Sequence, residues 1–348
     1  MAYTINLAPS GHEFVASDQD NLLKAAQDAG IALPYGCLNG ACRSCRAQVL
    51  AGRISYPDGP PKALMPQDEI EGFTLLCCAH PDSDLELHVD EFSPDQKIEV
   101  RTLPVRVKTK RMLAHDVVQL TLELREGEEL RYVPGQYVDI LLRDGRRRAF
   151  SIANAARADN TLELHIRWVV DGAFSSYVAE HMKERSLLRL RGPLGSFFLR
   201  NEPPMPSLLV AGGTGLAPIK SMVEDALIHG RSEPMYIYWG VRAMRDLYLH
   251  ETMLEWAAGY DNVSYTPVLS EEPQATGSAW TGRTGFVHTA VLEDFDDLSG
   301  FEAYLSGPPP MVNAGRASFI ERGLNPANLH ADSFEHAFET GHEAVAAA

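Results

Sequence analysis

The fold of the first part of this chain is decided by the stretch Cys37-Leu38-Asn39-Gly40-Ala41-Cys42-Arg43-Ser44-Cys45. Its three cysteines follow the pattern C-x4-C-x2-C, and Cys77 comes after 31 intervening residues. This is the ligand spacing of a [2Fe–2S] cluster, in which each iron takes two thiolates. A structural zinc site is the alternative, but zinc ligands usually come as two close pairs, and here the fourth cysteine stands alone. We therefore expect Cys37, Cys42, Cys45 and Cys77 to ligate a [2Fe–2S] cluster.

The residues around the cysteines predict a small α+β module over residues 1–92. We expect a helix near Asn21–Ala29 with Asp18 or Asp20 as its N-cap. Alternating apolar residues predict strands at Tyr3–Leu7, Glu13–Val15, Ala47–Leu50, Phe73–Cys77 and Leu85–Val89. If Cys77 ends a strand, then Cys78 faces the other way, and we expect it to be a small buried hydrophobe rather than a fifth ligand.

The rest of the chain predicts two further domains. After a linker at Glu91–Ile98, short alternating segments over residues 99–202 indicate an all-β barrel. Residues 205–335 alternate between apolar strands and helices, with a Gly-rich turn after the strand Leu208–Ala211, which is typical of a doubly wound parallel α/β sheet. Residues 336–348 are left as a C-terminal tail. The sequence thus predicts a multidomain chain.

Charge and composition exclude several classes of function. The net charge is −16 over 348 residues, which argues against a nucleic-acid partner, because phosphate binding needs clustered Lys and Arg. Residues 1–97 hold 14 Asp/Glu against six Lys/Arg, a surface that would suit a basic partner or serve solubility alone. No apolar run reaches the length of a membrane span, and Met1–Asn6 shows no export signal. We expect a cytoplasmic monomer with no membrane partner.

Two segments resemble known families. The cysteine loop resembles the plant-type ferredoxin domains, of β-grasp fold, that are fused to flavin reductases, and Thr74–Cys78 looks like the reductases of deoxysugar biosynthesis. Arg43 stands where those relatives usually have Gly, and its positive charge should favour a reduced cluster. Pro134-Gly135-Gln136-Tyr137 with Arg148-Ala149-Phe150-Ser151 resembles the flavin signature of the ferredoxin–NADP reductase superfamily.

The second resemblance implies an FAD site on the barrel. It implies that Arg148 pairs with the FAD pyrophosphate, that Phe150 packs on the isoalloxazine, and that the Ser151 hydroxyl lies near flavin N5. A guanidinium fork suits phosphate oxygens, and a hydroxyl can serve either protonation state of N5. Gly172 and Ser175, where a helix begins, are candidates for a second phosphate contact, although the serine could simply cap the helix.

A nicotinamide site is implied by Gly212-Gly213-Thr214-Gly215-Leu216-Ala217-Pro218, which resembles the phosphate loop of the same superfamily. Its candidate contacts are Gly213, Thr214 and Gly215. Arg242 or Arg245 could contact a 2′-phosphate or be plain surface charge. The pattern around Gly240 favours NADH, with NADPH possible.

The C-terminal segments complete the predicted redox site. Ser306-Gly307-Pro308-Pro309-Pro310-Met311 resembles the family's Cys-Gly-x-Pro motif, with Ser306 in place of Cys, and it implies that Gly307 adjoins the nicotinamide. Asp332-Ser333-Phe334 resembles the segment that approaches the flavin, so Phe334 is a candidate contact. We expect Ser151 and Ser306 at the site of hydride transfer, and we assign no role to the 12 His residues.

Together these segments predict an oxidoreductase that passes electrons from NADH through FAD and a [2Fe–2S] cluster to a partner. Hydride carries two electrons and a cluster accepts one, so FAD must stand between them. The resemblance implies a terminal oxygenase or an iron–sulfur dehydratase of dideoxysugar synthesis as the partner. The alternative is a stand-alone NAD(P)H reductase for free flavin, ferric chelates or quinone.

Overall fold

The computed structural model describes residues 1–61, 63–89, 91, 98–157, 159–169, 172–200, 203–271 and 280–334. The predicted linker lies mostly outside these ranges, and the predicted tail 336–348 lies entirely outside them. Three large sheets follow one another along the chain, and the domains built on them have the α+β, all-β and α/β character expected from the sequence. The predicted fold class is confirmed. Among the helices of the described ranges, none has the length and apolar character needed to cross a membrane.

The first sheet is a β-grasp sheet with its helix packed across one face. Its strands run in the order β2-β1-β7-β3-β5, with β1 and β7 parallel. The elements are β1 (Ala2–Ala8), β2 (Glu13–Ser17), α1 (Leu22–Asp28), β3 (Arg46–Ala51), β4 (Ile54–Ser55), α2 (Pro66–Ile70), β5 (Phe73–Leu75), β6 (His80–Pro81) and β7 (Leu85–His88). β4 pairs only with β6.

The predicted N-cap of α1 is wrong. The side chain of Asn21 accepts a 2.8 Å hydrogen bond from the Lys24 backbone N–H, so Asn21 caps the helix. Asp20 instead forms an ion pair with the Lys24 side chain at 2.8 Å. A cap must directly precede the first helical residue, and the helix begins later than the aspartates suggested.

The second sheet closes into a barrel. Its strands are β8 (Arg101–Ala114), β9 (Val117–Leu124), β10 (Tyr137–Leu141), β11 (Arg147–Ser151), β12 (Thr161–Arg167) and β13 (Leu187–Leu194). They run in the order β11-β10-β13-β8-β9-β12, and an isolated bridge between Ile152 and Leu164 joins the two ends. Helix α3 (Ala173–Ser176) and a π-helical turn (Tyr177–His181) follow β12. Closure removes both sheet edges.

The third sheet is parallel throughout, in the order β17-β16-β15-β14-β18-β19. Its elements are β14 (Ser207–Gly212), α4 (Leu216–Ile228), β15 (Met235–Val241), α5 (His250–Gly259), β16 (Val263–Leu269), β17 (Arg283–Thr284), α6 (Val287–Asp294), β18 (Glu302–Gly307), α7 (Pro309–Glu321) and β19 (Leu329–Ser333). All six residues of β14 are buried, as expected where helices cover both faces. The strand order reverses between β14 and β18, and such a switch point is where α/β sheets bind ligands.

Candidate functional site

The four predicted ligand cysteines lie at one end of the β-grasp module, three of them in the loop between α1 and β3. Backbone N–H groups of this loop point at its sulfurs: Ala41 donates to Cys37 Sγ at 3.2 Å, and Ser44 to Cys42 Sγ at 3.5 Å. The loop can curl this way because Gly40 has a φ of 77°. None of the cysteines forms a disulfide. Four free thiols, with N–H groups aimed at the sulfurs of Cys37 and Cys42, fit a cluster that carries negative charge.

Arg43 adopts a φ of 66°, in the left-handed region that favours glycine. Glycine adopts this φ without steric cost, which explains why glycine suits this position of the cysteine loop. The arginine is held there by Asp68, a buried residue of α2, whose Oδ2 lies 2.6 Å from Arg43 Nη2. The charge of Arg43 is therefore fixed close to the cysteine loop.

The prediction that Cys78 faces away from Cys77 is wrong. β5 ends at Leu75, and the chain then turns, with the Cys78 N–H donating to the Leu75 carbonyl. In a turn, side chains no longer alternate, and the two sulfurs lie 3.6 Å apart. Cys78 is partly exposed rather than buried, and its Sγ lies against Gly40 of the cysteine loop.

The thiols differ in acidity. The pKa of Cys42 is lowered to about 5, chiefly because its sulfur accepts a hydrogen bond from the Cys37 thiol. The same bond raises the pKa of Cys37. Cys42 is therefore the sulfur of this pair that ionises first, and thiolates are the form that binds metal.

The cysteine loop is held by hydrogen bonds to both of the other domains. From the barrel, Ser196 Oγ accepts from the Tyr35 N–H at 2.8 Å, the Ser196 N–H donates to the Tyr35 carbonyl at 2.9 Å, and Tyr137 Oη donates to the Gly36 carbonyl at 3.0 Å. Two involve the parallel sheet and its helices: Ser44 Oγ donates to the Ala331 carbonyl at 2.8 Å, and Arg316 Nη2 donates to the Cys42 carbonyl at 3.0 Å. One side of the loop is thus covered by both neighbouring domains.

The predicted flavin residues lie on β11, next to this contact. Ser151 pairs in register with Tyr137 of β10, and Arg148 and Phe150 project from the other face of the strand. Ser151 is buried, with its hydroxyl 3.5 Å from Asp332 Oδ2. Phe150 is partly buried against Phe174, with ring centroids 5.6 Å apart. The structure therefore brings Ser151 and the Asp332-Ser333-Phe334 segment together.

Gly172 and Ser175 lie at the start of α3, as predicted. The Ser175 hydroxyl donates to the Gly172 carbonyl at 3.0 Å and accepts from the Val169 N–H at 3.2 Å. A Cβ on Gly172 would lie 2.5 Å from that hydroxyl. The serine side chain therefore braces its own turn, which leaves backbone N–H groups as the donors for an anion.

The nicotinamide segments meet at the switch point between β14 and β18. Gly213, Thr214 and Gly215 form a 3₁₀ turn, and a Cβ on Gly215 would overlap the Ser306 carbonyl. A Cβ on Gly307 would lie 3.0 Å from the Gly212 backbone. Glycine is needed here because the two segments touch through their backbones.

Ser306 and Phe334 border the same point. Ser306 is fully buried, and its hydroxyl is one of the buried atoms of the described ranges that have no hydrogen-bond partner. It pairs in register with Asp332 on the neighbouring strand, and the Asp332 carboxylate lies 3.5 Å from the Ser151 hydroxyl. The Phe334 N–H donates to the Gly307 carbonyl at 3.0 Å. A buried hydroxyl without a partner fits a site that receives a polar ligand group.

Arg242 directly follows β15. Its side chain is 76% exposed, and its Nε lies 3.4 Å from Glu271 Oε1. Arg245 is also exposed.

Several residues that the structure places in the site had no assigned role in the sequence. Arg167 ends β12 with its guanidinium against Gly213, and its Nε and Nη2 are buried without hydrogen-bond partners among the described residues. Burial and the nearby Cys42 thiolate raise the pKa of Asp332 to about 7. Asp332 was visible as part of a motif, but Arg167 carried no sequence signal, because its position depends on how two domains meet.

Comparison with known proteins agrees with this arrangement. Three family models match consecutive parts of the chain: a 2Fe-2S iron-sulfur cluster binding domain over residues 5–82, an oxidoreductase FAD-binding domain over residues 104–199, and an oxidoreductase NAD-binding domain over residues 209–317. A [2Fe–2S] cluster, FAD and a nicotinamide cofactor are thus the cofactors of this chain, and it is an oxidoreductase.

Individual relatives cover nearly the whole chain. CDP-6-deoxy-L-threo-D-glycero-4-hexulose-3-dehydrase reductase of Yersinia pestis is 38% identical over 334 residues, which are 96% of this chain and 99% of the relative. The reductase component of phenol 2-monooxygenase from Pseudomonas sp. (strain CF600) is 33% identical and covers 96% of this chain and 95% of its own. The crystal structure of an Amycolatopsis cytochrome P450 reductase has a TM-score of 0.75 at 31% identity, with 95% and 98% of the two chains covered. The chain belongs to the family of iron–sulfur flavoprotein reductases that join a [2Fe–2S] ferredoxin domain, an FAD-binding domain and a NAD-binding domain in one polypeptide.

Proposed function

We propose that this reductase takes hydride from NADH and delivers single electrons, through its cluster, to a separate terminal enzyme. The observation that carries the proposal is the two-sided position of the cysteine loop. One side contacts Tyr137, Ala331 and Arg316 of the other domains, and the other side ends in Leu38, whose side chain is 43% exposed. Electrons can enter from the covered side and leave from the exposed one.

The residues of this chain would hold the cofactors rather than react with substrate. FAD supplies, when bound, the conversion between two-electron hydride and single electrons. We propose that Arg148 holds its pyrophosphate, that the α3 N–H groups at Gly172 and Ser175 hold its second phosphate contact, and that Phe150 excludes water from its ring.

A proton can be held beside the flavin site by Asp332. Its pKa of about 7 means that the carboxyl is partly protonated at neutral pH, and Ser151 Oγ lies 3.5 Å away. We propose that Ser151, beside this carboxyl, and Ser306, on the strand paired with that of Asp332, orient the flavin and nicotinamide edges for hydride transfer. Gly213, Thr214 and Gly215 would approach the dinucleotide phosphates. Arg167 would supply the positive charge for these phosphates. Gly307 and Phe334 would border the nicotinamide.

NADH is the proposed donor rather than NADPH. Glu271 lies beside Arg242 and neutralises the cation that a 2′-phosphate would need. A carboxylate in this region can accept a hydrogen bond from a ribose hydroxyl and repels a phosphate.

The proposed partner carries a basic surface. The exposed edge of the loop includes Leu38 and Asn39, with exposed Asp58 close enough to contribute to the raised pKa of Cys78. Asp58 and the excess of Asp and Glu over Lys and Arg in residues 1–97 favour docking of a basic partner. The Yersinia relative serves a dehydrase and the Pseudomonas relative a monooxygenase, so an iron–sulfur dehydratase and an oxygenase are the two candidate partner classes.

An anaerobic titration with NADH tests the proposal. We expect the flavin and cluster absorbances to bleach in succession, with about three electrons taken up per protein. Cytochrome c then serves as a basic one-electron acceptor. A Cys45→Ser variant should lose cytochrome c reduction, while NADH-dependent ferricyanide reduction survives. If the variant reduces cytochrome c as fast as the parent, the cluster is not the exit, and a stand-alone reductase for free flavin, ferric chelates or quinone is the correct description.

A further inference from the structure

One helix reaches both the nicotinamide segment and the cysteine loop. Helix α7 begins at Pro309, directly after Ser306-Gly307-Pro308, and Arg316 follows about two turns later. Its Nη2 donates to the Cys42 carbonyl at 3.0 Å, a contact between residues 274 positions apart. The NAD-binding domain therefore touches the backbone of a cluster ligand directly.

The guanidinium of Arg316 lies near Arg43 and Arg46, and these three cations outnumber the carboxylates that pair with them. Arg43 and Arg46 share the buried Asp68, at 2.6 Å and 3.0 Å, and Arg46 reaches the exposed Glu71 only at 4.0 Å. In the described part of the chain, Arg316 has no carboxylate in ion-pair contact. The local charge is therefore positive, and it lies beside Cys42.

Two donors in this group lack acceptors. Arg43 Nε and Arg316 Nε are both buried with no hydrogen-bond partner among the described residues. A guanidinium keeps its charge at neutral pH, so Arg316 is a cation at this position. Unpaired buried cations are costly unless negative charge lies nearby, and a thiolate-ligated iron–sulfur cluster is an anion that gains one further negative charge on reduction.

We propose that Arg316 is a positioning residue for electron transfer: it holds the Cys42 side of the loop against the NAD-binding domain and stabilises the added charge of the reduced cluster. The inference rests on the proposed function. In the step concerned, reduced FAD loses one electron and the cluster gains it, and no bond forms or breaks. The charge of Arg316 favours the side of this equilibrium on which the electron is on the cluster.

The test compares three variants of the full-length holoenzyme. Arg316→Gln removes the charge, and Arg316→Lys keeps it. Arg322→Gln is the matched control. Arg322 lies at the C-terminal end of the same helix, and it also donates to backbone carbonyls, those of Leu292 and Phe295. The partition of electrons between flavin and cluster is measured in anaerobic redox titrations, with the cluster followed by its EPR signal and the flavin by its absorbance.

We expect Arg316→Gln to shift the partition away from the cluster by about tenfold, which for one electron is about 59 mV towards lower potential. Arg316→Lys should recover most of the shift, and Arg322→Gln should show none. If Arg316→Gln changes nothing, or changes no more than Arg322→Gln, the inference is overturned. If Arg316→Gln fails to fold, Arg316→Lys decides the matter. A shift of about 59 mV in Arg316→Lys, which keeps the charge, would show that charge is not what Arg316 contributes. A parent protein that binds no cluster would instead overturn the proposed function itself.

Discussion

The hydroxyl of Tyr137 donates a 3.0 Å hydrogen bond to the carbonyl of Gly36, the residue before the first cluster cysteine. Tyr137 lies on β10, opposite Ser151 of β11. This bond therefore links the two strands that carry the predicted flavin residues to the cysteine loop. Burial raises the pKa of Tyr137, which keeps its hydroxyl protonated as a donor. The spacing between flavin and cluster thus depends on a contact between domains.

We expect Tyr137→Phe to slow electron transfer from flavin to cluster while leaving reduction of the flavin by NADH unchanged. The variant leaves the Gly36 carbonyl without this partner, which costs about 1 to 3 kcal/mol at the domain contact. Anaerobic stopped-flow absorbance separates the two steps. Equal rates for cluster reduction in variant and parent would show that the remaining contacts, such as Ser196 with Tyr35, suffice to fix the spacing.

Local patterns were enough to predict the order of cofactors and the type of each sheet. Cysteine spacing, alternating residues and a Gly-rich turn are properties of short segments, and the fold class follows from them. Contacts such as those of Tyr137 with Gly36 and Arg316 with Cys42 join residues 101 and 274 positions apart. They depend on the shapes of folded surfaces, which no short segment encodes. The error at Cys78 had a local cause, because a turn replaced the strand on which the alternation argument relied.

The 3.6 Å separation of the Cys77 and Cys78 sulfurs makes the identity of the fourth ligand a sharp test. We predict that Cys77→Ser loses the cluster and that Cys78→Ser keeps it, because the C-x4-C-x2-C…C spacing is completed by Cys77. Iron content per protein and the EPR signal of the reduced protein measure this. Retention of iron in Cys77→Ser with loss in Cys78→Ser would reassign the ligand.

Glu271 should govern the choice between NADH and NADPH. We expect Glu271→Gln to raise the ratio of kcat/KM for NADPH over NADH by up to about fivefold, since an interaction between exposed charges is worth at most about 1 kcal/mol. Steady-state kinetics with ferricyanide measure the ratio. Glu293→Gln, which alters an exposed carboxylate 2.7 Å from Arg283, is the control and should leave the ratio unchanged. If the two variants give the same ratio, Glu271 does not determine the choice between NADH and NADPH.

A buried carboxylate between the barrel and the NAD-binding domain should make stability depend on pH. Glu163 of β12 accepts a 2.8 Å hydrogen bond from His165 and lies 3.4 Å from Lys220 of α4. Burial alone would raise the pKa of Glu163, but the bond from His165 and the charge of Lys220 outweigh burial and lower the pKa to about 2. Because the folded-state pKa lies below the ordinary value, the ionised group stabilises the fold above about pH 4.5, and this stabilisation is lost as the pH falls towards 2.

We therefore expect Glu163→Gln to be less stable than the parent at pH 7 by about 3 kcal/mol, and we expect this difference to shrink below about pH 4.5. Urea unfolding at pH 7 and pH 3, followed by tryptophan fluorescence, measures the difference. Glu123→Gln is the matched control: Glu123 pairs with Arg106 at 2.6 Å on the barrel surface, where an ion pair is worth at most about 1 kcal/mol. A stability difference for Glu163→Gln that stays constant from pH 7 to pH 3 would mean that the carboxylate acts through packing and not through its charge.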